Sequence, residues 1–558
     1  MADRLRFLSH LTASLLLGII VLALTTNVVA RTFALPIVGA SLVAQWALPA
    51  LAFASLATLA TSAPGRRRWP GQVILGFVFA TLLAGLLSAG ERVGGVEAVL
   101  GIPTAWRYHV AAALTALGFA VALLRGGPWL ALAGLAGAAL VLLPLPQLPL
   151  WVALAVFALA LAFEVPVALA LVAGAALAPG PLSDAAMAQS VMRGLSPYVL
   201  LAIPLFVFAA ALMVAGGIGA RMVVAARWIA QRRASALGEA NVVTSLLFGG
   251  VSGSSIADAA LGARLLVPGM VAAGYRPGRA AAITAASSVL PNVLPPSIAL
   301  LLAAAATDQS VGALWLAGVG AGLTLTAALW IAVRLTPPQP AAETVEAEPV
   351  RGRDALLGVL PPVAIAIVVL GGLRLGIVTA VEAGLLAVFI AAAFAAAFRG
   401  LGAFLAAISE AAVQTGRVAF LIGAATPIGF LFATSGLKAA AFLPAGPALL
   451  VLLAAAGLCI LIGTVLDVGA AILLMLPVLL PAAVAAGFDP IHATLVLTTA
   501  LLLGGLTPPV GVLVLVVKDI TKARGVYRAL IPYFAALVLA VGVLLLVPAL
   551  TVGLVKTL

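Results

Sequence analysis

Apolar runs long enough to cross a lipid bilayer recur along almost the whole chain, for example over 8–30 and 530–550. Of the 558 residues, 64% are hydrophobic and only 8% are charged. A soluble domain carries about 25% charged residues, and a disordered chain requires low hydrophobicity. The composition therefore excludes both classes and predicts a membrane protein.

The unbroken length of these runs predicts an all-α polytopic membrane protein, because a spanning helix needs about 20 apolar residues. A membrane β-barrel strand would instead alternate between apolar and polar residues. The chain has room for about 15–16 transmembrane helices. Ordinary spans are predicted near 8–30, 42–62, 72–89, 108–124, 127–146, 197–217, 311–334, 356–373, 378–398, 440–462 and 530–550. The stretch 149–178 is interrupted by Glu164 and Pro166, and two further zones, 240–306 and 463–517, are broken by Gly, Ser and Pro.

The formal net charge of +12 fits a membrane protein, because basic residues cluster in cytoplasmic loops. The triple arginine at 66–68 predicts one such loop and places the N-terminus in the cytoplasm as a retained signal anchor. The polar stretch Thr336–Asp354 is predicted to connect two halves. Cys459 is the single cysteine, and the three histidines are too scattered for a metal site.

The two halves contain an internal repeat. Leu266–Pro277 (LVPGMVAAGYRP) resembles Leu479–Pro490 (LLPAAVAAGFDP), with Gly274 and Gly487 separated by 213 positions. The same offset relates Pro295-Pro296 to Pro508-Pro509, and Gly250 to Gly463. With Pro268 and Pro481, and Pro277 and Pro490, six proline or glycine pairs share one register. This agreement is unexpected by chance, so we interpret the two stretches as copies of one unit.

Charge suggests that the two copies are inverted. Arg264, Arg276 and Arg279 of the first copy match Pro477, Asp489 and His492 of the second. The basic residues of the second copy, Lys518, Lys522, Arg524 and Arg528, match uncharged positions of the first. Under the positive-inside rule, equivalent points then lie on opposite sides of the membrane, as in the inverted repeats of secondary transporters. The alternative is a same-sense duplication whose loop charges have drifted.

Each copy has a polar re-entrant tip followed by a broken helix. Backbone freed at membrane depth must be satisfied by protein or by water, and an acid there is a functional candidate. Serine hydroxyls and bare carbonyls are suitable ligands for a small hard cation, and helix N-termini favour an anion. The alternative reading, proline kinks with close Gly/Ser packing, explains single breaks better than a duplicated one. The candidate substrate and ion-binding residues are Ser252, Gly253, Ser254, Ser255, Asp258, Ser287, Ser288, Asn292, Pro295, Pro296, Ser297, Gly463, Asp467, Thr507, Pro508, Pro509, Val510 and Gly511.

Other chemistry is poorly represented. The phosphate-binding pattern of ATPases is missing from the sequence, and no Ser/His/Asp, HExxH or paired-cysteine arrangement points to an enzyme. Among the remaining acids, Glu382 fits a helix cap or a pair within the bundle better than an ion site. The competing functions are an uncoupled, channel-like permease, a proton-coupled anion transporter, an integral membrane enzyme and a structural partner subunit.

From about 150 to 553 the chain resembles the large membrane subunit of TRAP transporters, the tripartite ATP-independent periplasmic family. Ser252–Asp258 and Thr507–Gly511 carry the resemblance most strongly. It is also carried by Leu201–Phe206, Ala286–Ser288, Pro295–Ser297, and Thr379 with Glu382-Ala383. Residues 1–125 resemble the small four-helix subunit through Arg31, Trp46 and Gly101–Arg125, without acids beside Trp46.

The resemblance implies a bacterial inner-membrane importer of an organic acid such as a dicarboxylate, driven by Na+ and working as an elevator. A separate periplasmic substrate-binding protein would deliver the substrate, and Na+ would bind among the candidate residues above. It also implies a division into a small-subunit-like region (1–125), a fusion helix (126–148), a first repeat (149–335), a connector (336–354) and a second repeat (355–558).

Overall fold

The computed structural model describes residues 2–32, 40–56, 58–59, 69–93, 102–126, 135, 150–163, 165–176, 184–230, 236–336, 351–399, 402–434, 443–444 and 446–556. The predicted span at 127–146 apart from Leu135, the triple arginine, Glu164 and most of the polar connector lie outside these residues.

Helices dominate the described part of the chain. The first twelve are α1 Ala2–Thr32, α2 Ala40–Ala54, α3 Trp69–Arg92, α4 Trp106–Gly126, α5 Leu150–Ala162, α6 Val167–Ala176, α7 Asp184–Gly194, α8 Ala202–Ala215, α9 Ile218–Ala230, α10 Ala236–Ser252, α11 Ser255–Leu265 and α12 Val267–Ala272. The next twelve are α13 Pro277–Ser287, α14 Ile298–Thr307, α15 Val311–Leu335, α16 Gly352–Arg374, α17 Ala380–Arg399, α18 Gly402–Thr434, α19 Ala448–Gly463, α20 Val468–Ala485, α21 Pro490–Gly504, α22 Val512–Thr521, α23 Val526–Leu546 and α24 Ala549–Lys556.

Many of these helices suit a bilayer. Within the described residues, nine segments are long and apolar enough to cross a membrane. Large apolar side chains stay exposed on their surfaces, such as Ile367 at 65% and Leu539 at 71%. An α-helix satisfies its backbone groups internally, so such faces can contact lipid. The prediction of an all-α polytopic membrane protein is confirmed.

Most of the predicted spans that fall on described residues correspond to helices, and the break near Pro166 separates α5 from α6. The prediction omits one span. Helix α18 is a single helix of 33 residues that no predicted span covers. Glu410, Gln414 and Arg417 interrupt its apolar pattern in the sequence. A few polar residues therefore do not end a helix when the residues around them are apolar and compatible with helical backbone.

The chain divides into two compact units. The first contains Met1–Pro204 and Ile408–Leu437, and the second contains Leu205–Ala407 and Lys438–Leu558. In the first unit the rings of Phe53 and Phe420 meet edge to face with centroids 5.7 Å apart. The second unit holds both copies of the repeat, so every predicted site residue belongs to it. The predicted division in chain order stays a prediction.

Each copy forms a helical hairpin followed by a broken helix. In the first hairpin, α10 and α11–α12 are joined by a turn at Gly253, which has a positive φ of 53°. Buried Ala240 and Leu266 lie in one apolar cluster, which shows that the chain folds back on itself. The first broken helix is α13 and α14 with the unwound segment 288–297.

The second copy repeats this order. The second hairpin is α19 and α20, and the second broken helix is α21 and α22 with the unwound segment 505–511. Gly274 and Gly487, at the ends of the two hairpins, have matching φ values of 91° and 96°. The 213-residue register found in the sequence is therefore a register of backbone conformation.

The two copies pack on each other reciprocally. Helix α11 of the first copy lies against α22 of the second, and the equivalent pair, α20 and α14, also pack together. In the broken helices, α13 contacts α22 and α14 contacts α21. The first half of each broken helix thus meets the second half of the other. Two parallel rods would pair first half with first half, so the broken helices run antiparallel.

A close backbone contact confirms this direction. Gly278, at the start of α13, packs on the carbonyl oxygen of Arg524, which follows α22. The basic segment of the first copy (Arg264–Arg279) and that of the second (Lys518–Arg528) therefore lie at the same end of the second unit. The charge pattern of the sequence predicts this arrangement for inverted copies.

Candidate ion and substrate site

Four helices begin at the breaks of the two copies. The hydroxyl of Ser254 caps α11 by accepting from Ala257 N at 3.4 Å, and that of Ser297 caps α14 by accepting from Leu300 N at 3.0 Å. The carboxylate of Asp467 caps α20 by accepting from Gly469 N at 3.1 Å. Gly511 precedes α22 with a φ of 55°. Because helix N-termini present free N–H groups and positive partial charge, those of α11, α14 and α22 favour an anion, whereas the Asp467 carboxylate compensates that of α20.

The first half-site is closed around Asn292. Its side-chain oxygen accepts from the backbone N–H of Ser255 at 3.2 Å. The hydroxyl of Ser297 donates to the backbone carbonyl of the same residue. Gly253 packs so closely on the unwound segment that an added Cβ would lie 2.7 Å from the carbonyl oxygen of Pro296. The hairpin turn and the unwound segment are therefore one interlocked structure.

Asp258 lies inside this half-site and is only 3% exposed. Its carboxylate interacts with the side chain of Ser245, whose hydroxyl donates to Ser287 Oγ at 2.9 Å. Within the described residues, Asp258 Oδ2 and Ser255 Oγ are buried and have no hydrogen-bond partner. Buried oxygen atoms without partners are costly, and a cation would satisfy them. Carboxylate, hydroxyl and carbonyl oxygens are the donor set that a hard cation prefers.

The remaining predicted residues of the first copy support this structure. Ser288 is fully buried and donates to the carbonyl oxygen of Ala285 at 2.7 Å. Trp315 on α15 donates from Nε1 to the carbonyl oxygen of Ser297 at 3.2 Å. The peptide bond between Pro295 and Pro296 is cis. Ser252 ends α10, next to the turn.

Three buried polar residues that join α10 to α13 were not predicted from the sequence: Ser245, Asn241 and Thr284. Ser245 connects Asp258 with Ser287, and Asn241 donates from Nδ2 to Thr284 Oγ1 at 2.7 Å. Asn241 and Ser245 lie one helical turn apart on α10, so they share a face. That spacing was the available signal, because it directs both polar groups towards α13.

The second half-site is more open. Asp467, Pro508 and Pro509 are exposed, whereas Gly463 and Gly511 are buried. Gly463 packs on the backbone of Leu501 and Gly504, which joins α19 to α21. Thr507 donates to the carbonyl oxygen of Gly504 at 2.9 Å, and the bond between Pro508 and Pro509 is cis. Val510, half-buried, completes the unwound segment.

Helix packing brings the half-sites together within the second unit. The capped helix α11 lies against α22, and the capped helix α14 lies against α20. Each helix that begins at one copy's break is therefore packed on a helix that begins at the other's. Glu382 has a separate role as a helix cap. It accepts from Thr379 N at 2.8 Å, and Thr379 Oγ1 accepts from Glu382 N at 3.4 Å. This reciprocal pair is a capping box, as the sequence analysis favoured.

Residues 152–550 match the family model of the DctM component of tripartite ATP-independent periplasmic transporters. The chain belongs to this TRAP transporter family. The 2,3-diketo-L-gulonate TRAP transporter large permease protein YiaN of Escherichia coli is 30% identical over 66% of this chain and 88% of its own length. The sialic acid TRAP transporter large permease protein SiaM of Vibrio cholerae is 32% identical over 63% of this chain and 86% of its own.

A third relative is the C4-dicarboxylate TRAP transporter large permease protein DctM of Pseudomonas aeruginosa, 29% identical over 64% of this chain and 86% of its own length. A solved structure of the YdaH transporter of Alcanivorax borkumensis matches 61% of this chain and 84% of its own at 16% identity, with a TM-score of 0.40. The family makes this TRAP permease a transporter and not an enzyme. The matched region begins at residue 152, so the small-subunit resemblance of residues 1–125 stays a prediction.

Proposed function

We propose that this TRAP permease imports an organic acid together with Na+ and receives its substrate from a periplasmic binding protein. The observation that carries the proposal is the buried pair of oxygens without partners, Asp258 Oδ2 and Ser255 Oγ, beside the unwound segment of the first copy. These atoms suit a cation, while the N-termini of α11, α14 and α22, which carry no charged cap, suit a carboxylate. One site therefore offers complementary places for ion and substrate.

Coupling follows from differential affinity. A ligand shifts a conformational equilibrium only when it binds the two states differently. Na+ bound at Asp258 would tie the first hairpin to the unwound segment that holds Asn292, which already accepts from Ser255 N. The closed and filled arrangement then moves, whereas a site that holds only one of the two ligands stays in place.

An elevator is the form of movement we propose. The two copies are interlocked through α11 with α22 and α14 with α20, so both hairpins would travel as one body. The end of the second unit that carries Arg276 and Arg524 faces the cytoplasm under the positive-inside rule, in the bacterial inner membrane. The N-terminus is proposed to be cytoplasmic too, because the triple arginine at 66–68 marks a cytoplasmic loop after the second predicted span.

The relatives' names guide the choice of substrates. Their printed substrates are a diketogulonate, sialic acid and C4-dicarboxylates, which all carry a carboxylate. We propose a carboxylate for this chain as well. The separate binding protein selects among dicarboxylates, sugar acids, 2-oxo acids and aromatic acids.

The test is uptake into proteoliposomes that contain the full chain, supplied with the binding protein encoded beside it and a labelled carboxylate from a panel of these classes. We expect uptake that requires an inward Na+ gradient and the binding protein. Asp258→Ala should lower the initial rate at least about tenfold, the effect of losing about 1.4 kcal/mol of ion binding. Asp519→Asn is the matched control, because Asp519 is 82% exposed and pairs with Lys522.

Each competing result has a distinct meaning. Downhill uptake without Na+ would identify an uncoupled permease, and uptake driven by a pH gradient alone would identify a proton-coupled anion transporter. An Asp258→Ala variant that transports with the wild-type response to Na+ would remove Asp258 from the ion site.

A further inference from the structure

Two buried hydrogen bonds join α10 to α13 in the first copy. Asn241 Nδ2 donates to Thr284 Oγ1 at 2.7 Å, and one turn further along α10 the Ser245 hydroxyl donates to Ser287 Oγ at 2.9 Å. All four side chains are at most 2% exposed, and we call these four residues the polar ladder. Because its two bonds lie about 6 Å apart along α10, the ladder fixes both the separation of the two helices and their register.

The Asn241 side chain in this ladder is fixed in orientation. The Thr284 hydroxyl donates to the carbonyl oxygen of Ala280 at 3.0 Å, so its oxygen accepts from Asn241. Nδ2 of Asn241 also lies 3.4 Å from a second acceptor, Met270 Sδ. The amide oxygen therefore points elsewhere, and within the described residues Asn241 Oδ1 is buried without a hydrogen-bond partner. Such an oxygen costs free energy, so stability alone does not account for this side chain.

The second copy builds the same hairpin and broken helix without a ladder. The 213-residue register places four apolar residues at the equivalent positions: Ala454, Leu458, Leu497 and Ala500. Helix α19 still packs on α21, where Gly463 contacts the backbone of Leu501 and Gly504. The fold of one copy therefore does not require polar groups at these positions.

The polar ladder lies directly beside Asp258. Its member Ser245 interacts with the Asp258 carboxylate, and α11, which carries Asp258, packs against both α10 and α13. Gly262, one turn after Asp258, lies so close to the ladder that an added Cβ would be 2.6 Å from Thr284 Cγ2. Because such close packing transmits small displacements, the separation that the ladder sets also sets the space beside the carboxylate.

We propose that Asn241 and Thr284 are positioning residues that make the Asp258 site select Na+ over the larger K+. Selectivity between hard cations depends on the size and flexibility of the cavity that their oxygen ligands form. The Asn241–Thr284 bond holds α10 against α13, so Ser245 does not retreat from Asp258 to admit a larger ion. This inference rests on the proposed function, because it concerns the same ion site.

The experiment measures how Na+ and K+ shift the thermal unfolding midpoint of the full chain in a non-ionic detergent. Each ion is titrated against choline at constant ionic strength. In the wild type we expect a saturable rise that is half complete at a lower concentration of Na+ than of K+. Thr284→Val removes the acceptor of the Asn241 bond at nearly constant volume. It should raise the half-saturating Na+ concentration about fivefold, the effect of one lost hydrogen bond, and change that of K+ much less.

Three further variants separate positioning from stability. Thr284→Ser keeps the hydroxyl and should keep the wild-type preference for Na+. The double variant Asn241→Ala/Thr284→Val replaces both partners by apolar groups, so it should fold and lose the preference. The matched control is Thr498→Val, because Thr498 is buried like Thr284 and its hydroxyl donates to the carbonyl oxygen of Thr494 in its own helix. This control should respond to both ions as the wild type does.

Failure of the inference and failure of the proposed function give different results. A wild-type midpoint that does not respond to Na+ would overturn the proposed ion site and this inference with it. A wild type that responds to Na+, with the same ratio of half-saturating Na+ and K+ concentrations in Thr284→Val and the double variant, would overturn the inference alone. A lower midpoint at an unchanged ratio would likewise reduce Asn241 and Thr284 to a structural role.

Discussion

The two copies of the repeat have the same backbone conformation at their breaks but differ in how deeply the residues there are buried. In the first copy Ser287, Ser288 and Ser297 are at most 1% exposed. Pro295 and Pro296 are buried as well, whereas the equivalent Pro508 and Pro509 of the second copy are exposed, as is Asp467. One register of glycines and prolines thus produces a closed half-site and an open one.

This difference suggests a division of roles. A buried half-site with oxygens already in place suits an ion that has lost its water, because the protein replaces the hydration shell with fixed ligands. An open half-site suits a ligand that arrives from solvent and contributes its own charge. We interpret the first copy as the main ion-binding half and the second as the half that first meets the substrate.

The largest loss of stability is expected at Gly463, where α19 packs directly on the backbone of α21. An alanine at Gly463 would place its Cβ on the carbonyl of Leu501 and 3.2 Å from Gly504 Cα. Because backbone cannot rotate away as a side chain can, Gly463→Ala should destabilise the protein by about 3 kcal/mol. The measurement is the thermal unfolding midpoint in detergent, together with the monodisperse fraction on gel filtration.

Two controls sharpen this test. Gly457, on the same helix, has open space around its Cα, so Gly457→Ala should leave the midpoint unchanged or slightly raised. In the first copy, Gly249→Ala meets the side chain of Leu294 and the Cα of Pro291, both at 3.1 Å, and should cause a smaller loss. If Gly463→Ala proved as stable as Gly457→Ala, the close packing of α19 on α21 would be wrong.

The next largest effect is expected at Asp467, where two substitutions separate helix capping from ion binding. Ser254 and Asp467 are 213 positions apart, and each caps the helix that follows its hairpin turn. Asp467→Ser therefore gives the second copy the cap of the first without its charge. We expect stability within about 0.5 kcal/mol of wild type, whereas Asp467→Ala should lose about 1 kcal/mol with its cap. The midpoint and the Na+ dependence of uptake are measured on the same preparations.

The charge of Asp467 is expected to raise the affinity of the open half-site for Na+. Asp467→Ser should then need more Na+ for half-maximal uptake, but by less than Asp258→Ala, because Asp467 is exposed to solvent and its charge is screened. A wild-type Na+ response in Asp467→Ser would restrict this carboxylate to capping and leave the ion to the first copy.

The register of the repeat was predictable because it depends on local backbone chemistry. Gly274 and Gly487 both adopt a positive φ, which favours glycine whatever packs nearby. The different burial of the two copies was not predictable in the same way. Exposure of Asp467 and burial of Asp258 depend on which helices cover them, and neighbouring residues in sequence do not specify that.

The partners of Asp258 show the same limit. Ser245 is one serine in an apolar helix, where a hydroxyl commonly bonds to its own backbone. Only the approach of α13 brings it within 2.9 Å of Ser287. The sequence places Asp258 at a break in the helical pattern. It does not show that Ser245, which interacts with Asp258, also bonds to Ser287, because these two serines lie 42 residues apart along the chain.

Substitution of Glu382 is expected to have the smallest effect on Na+-dependent uptake. It tests whether the two half-sites contain all the acids that take part in ion coupling. Glu382 is 7% exposed, so burial alone would make it an ion-site candidate at membrane depth. Its capping box with Thr379 gives it a structural role instead. Because glutamine also serves in a capping box, Glu382→Gln should change neither the unfolding midpoint nor the Na+ concentration for half-maximal uptake, while Glu382→Ala should lose about 1 kcal/mol of stability. If Glu382→Gln shifted the Na+ response at unchanged stability, a third acid outside both unwound segments would take part in coupling, and the division between a closed ion half and an open substrate half would be incomplete.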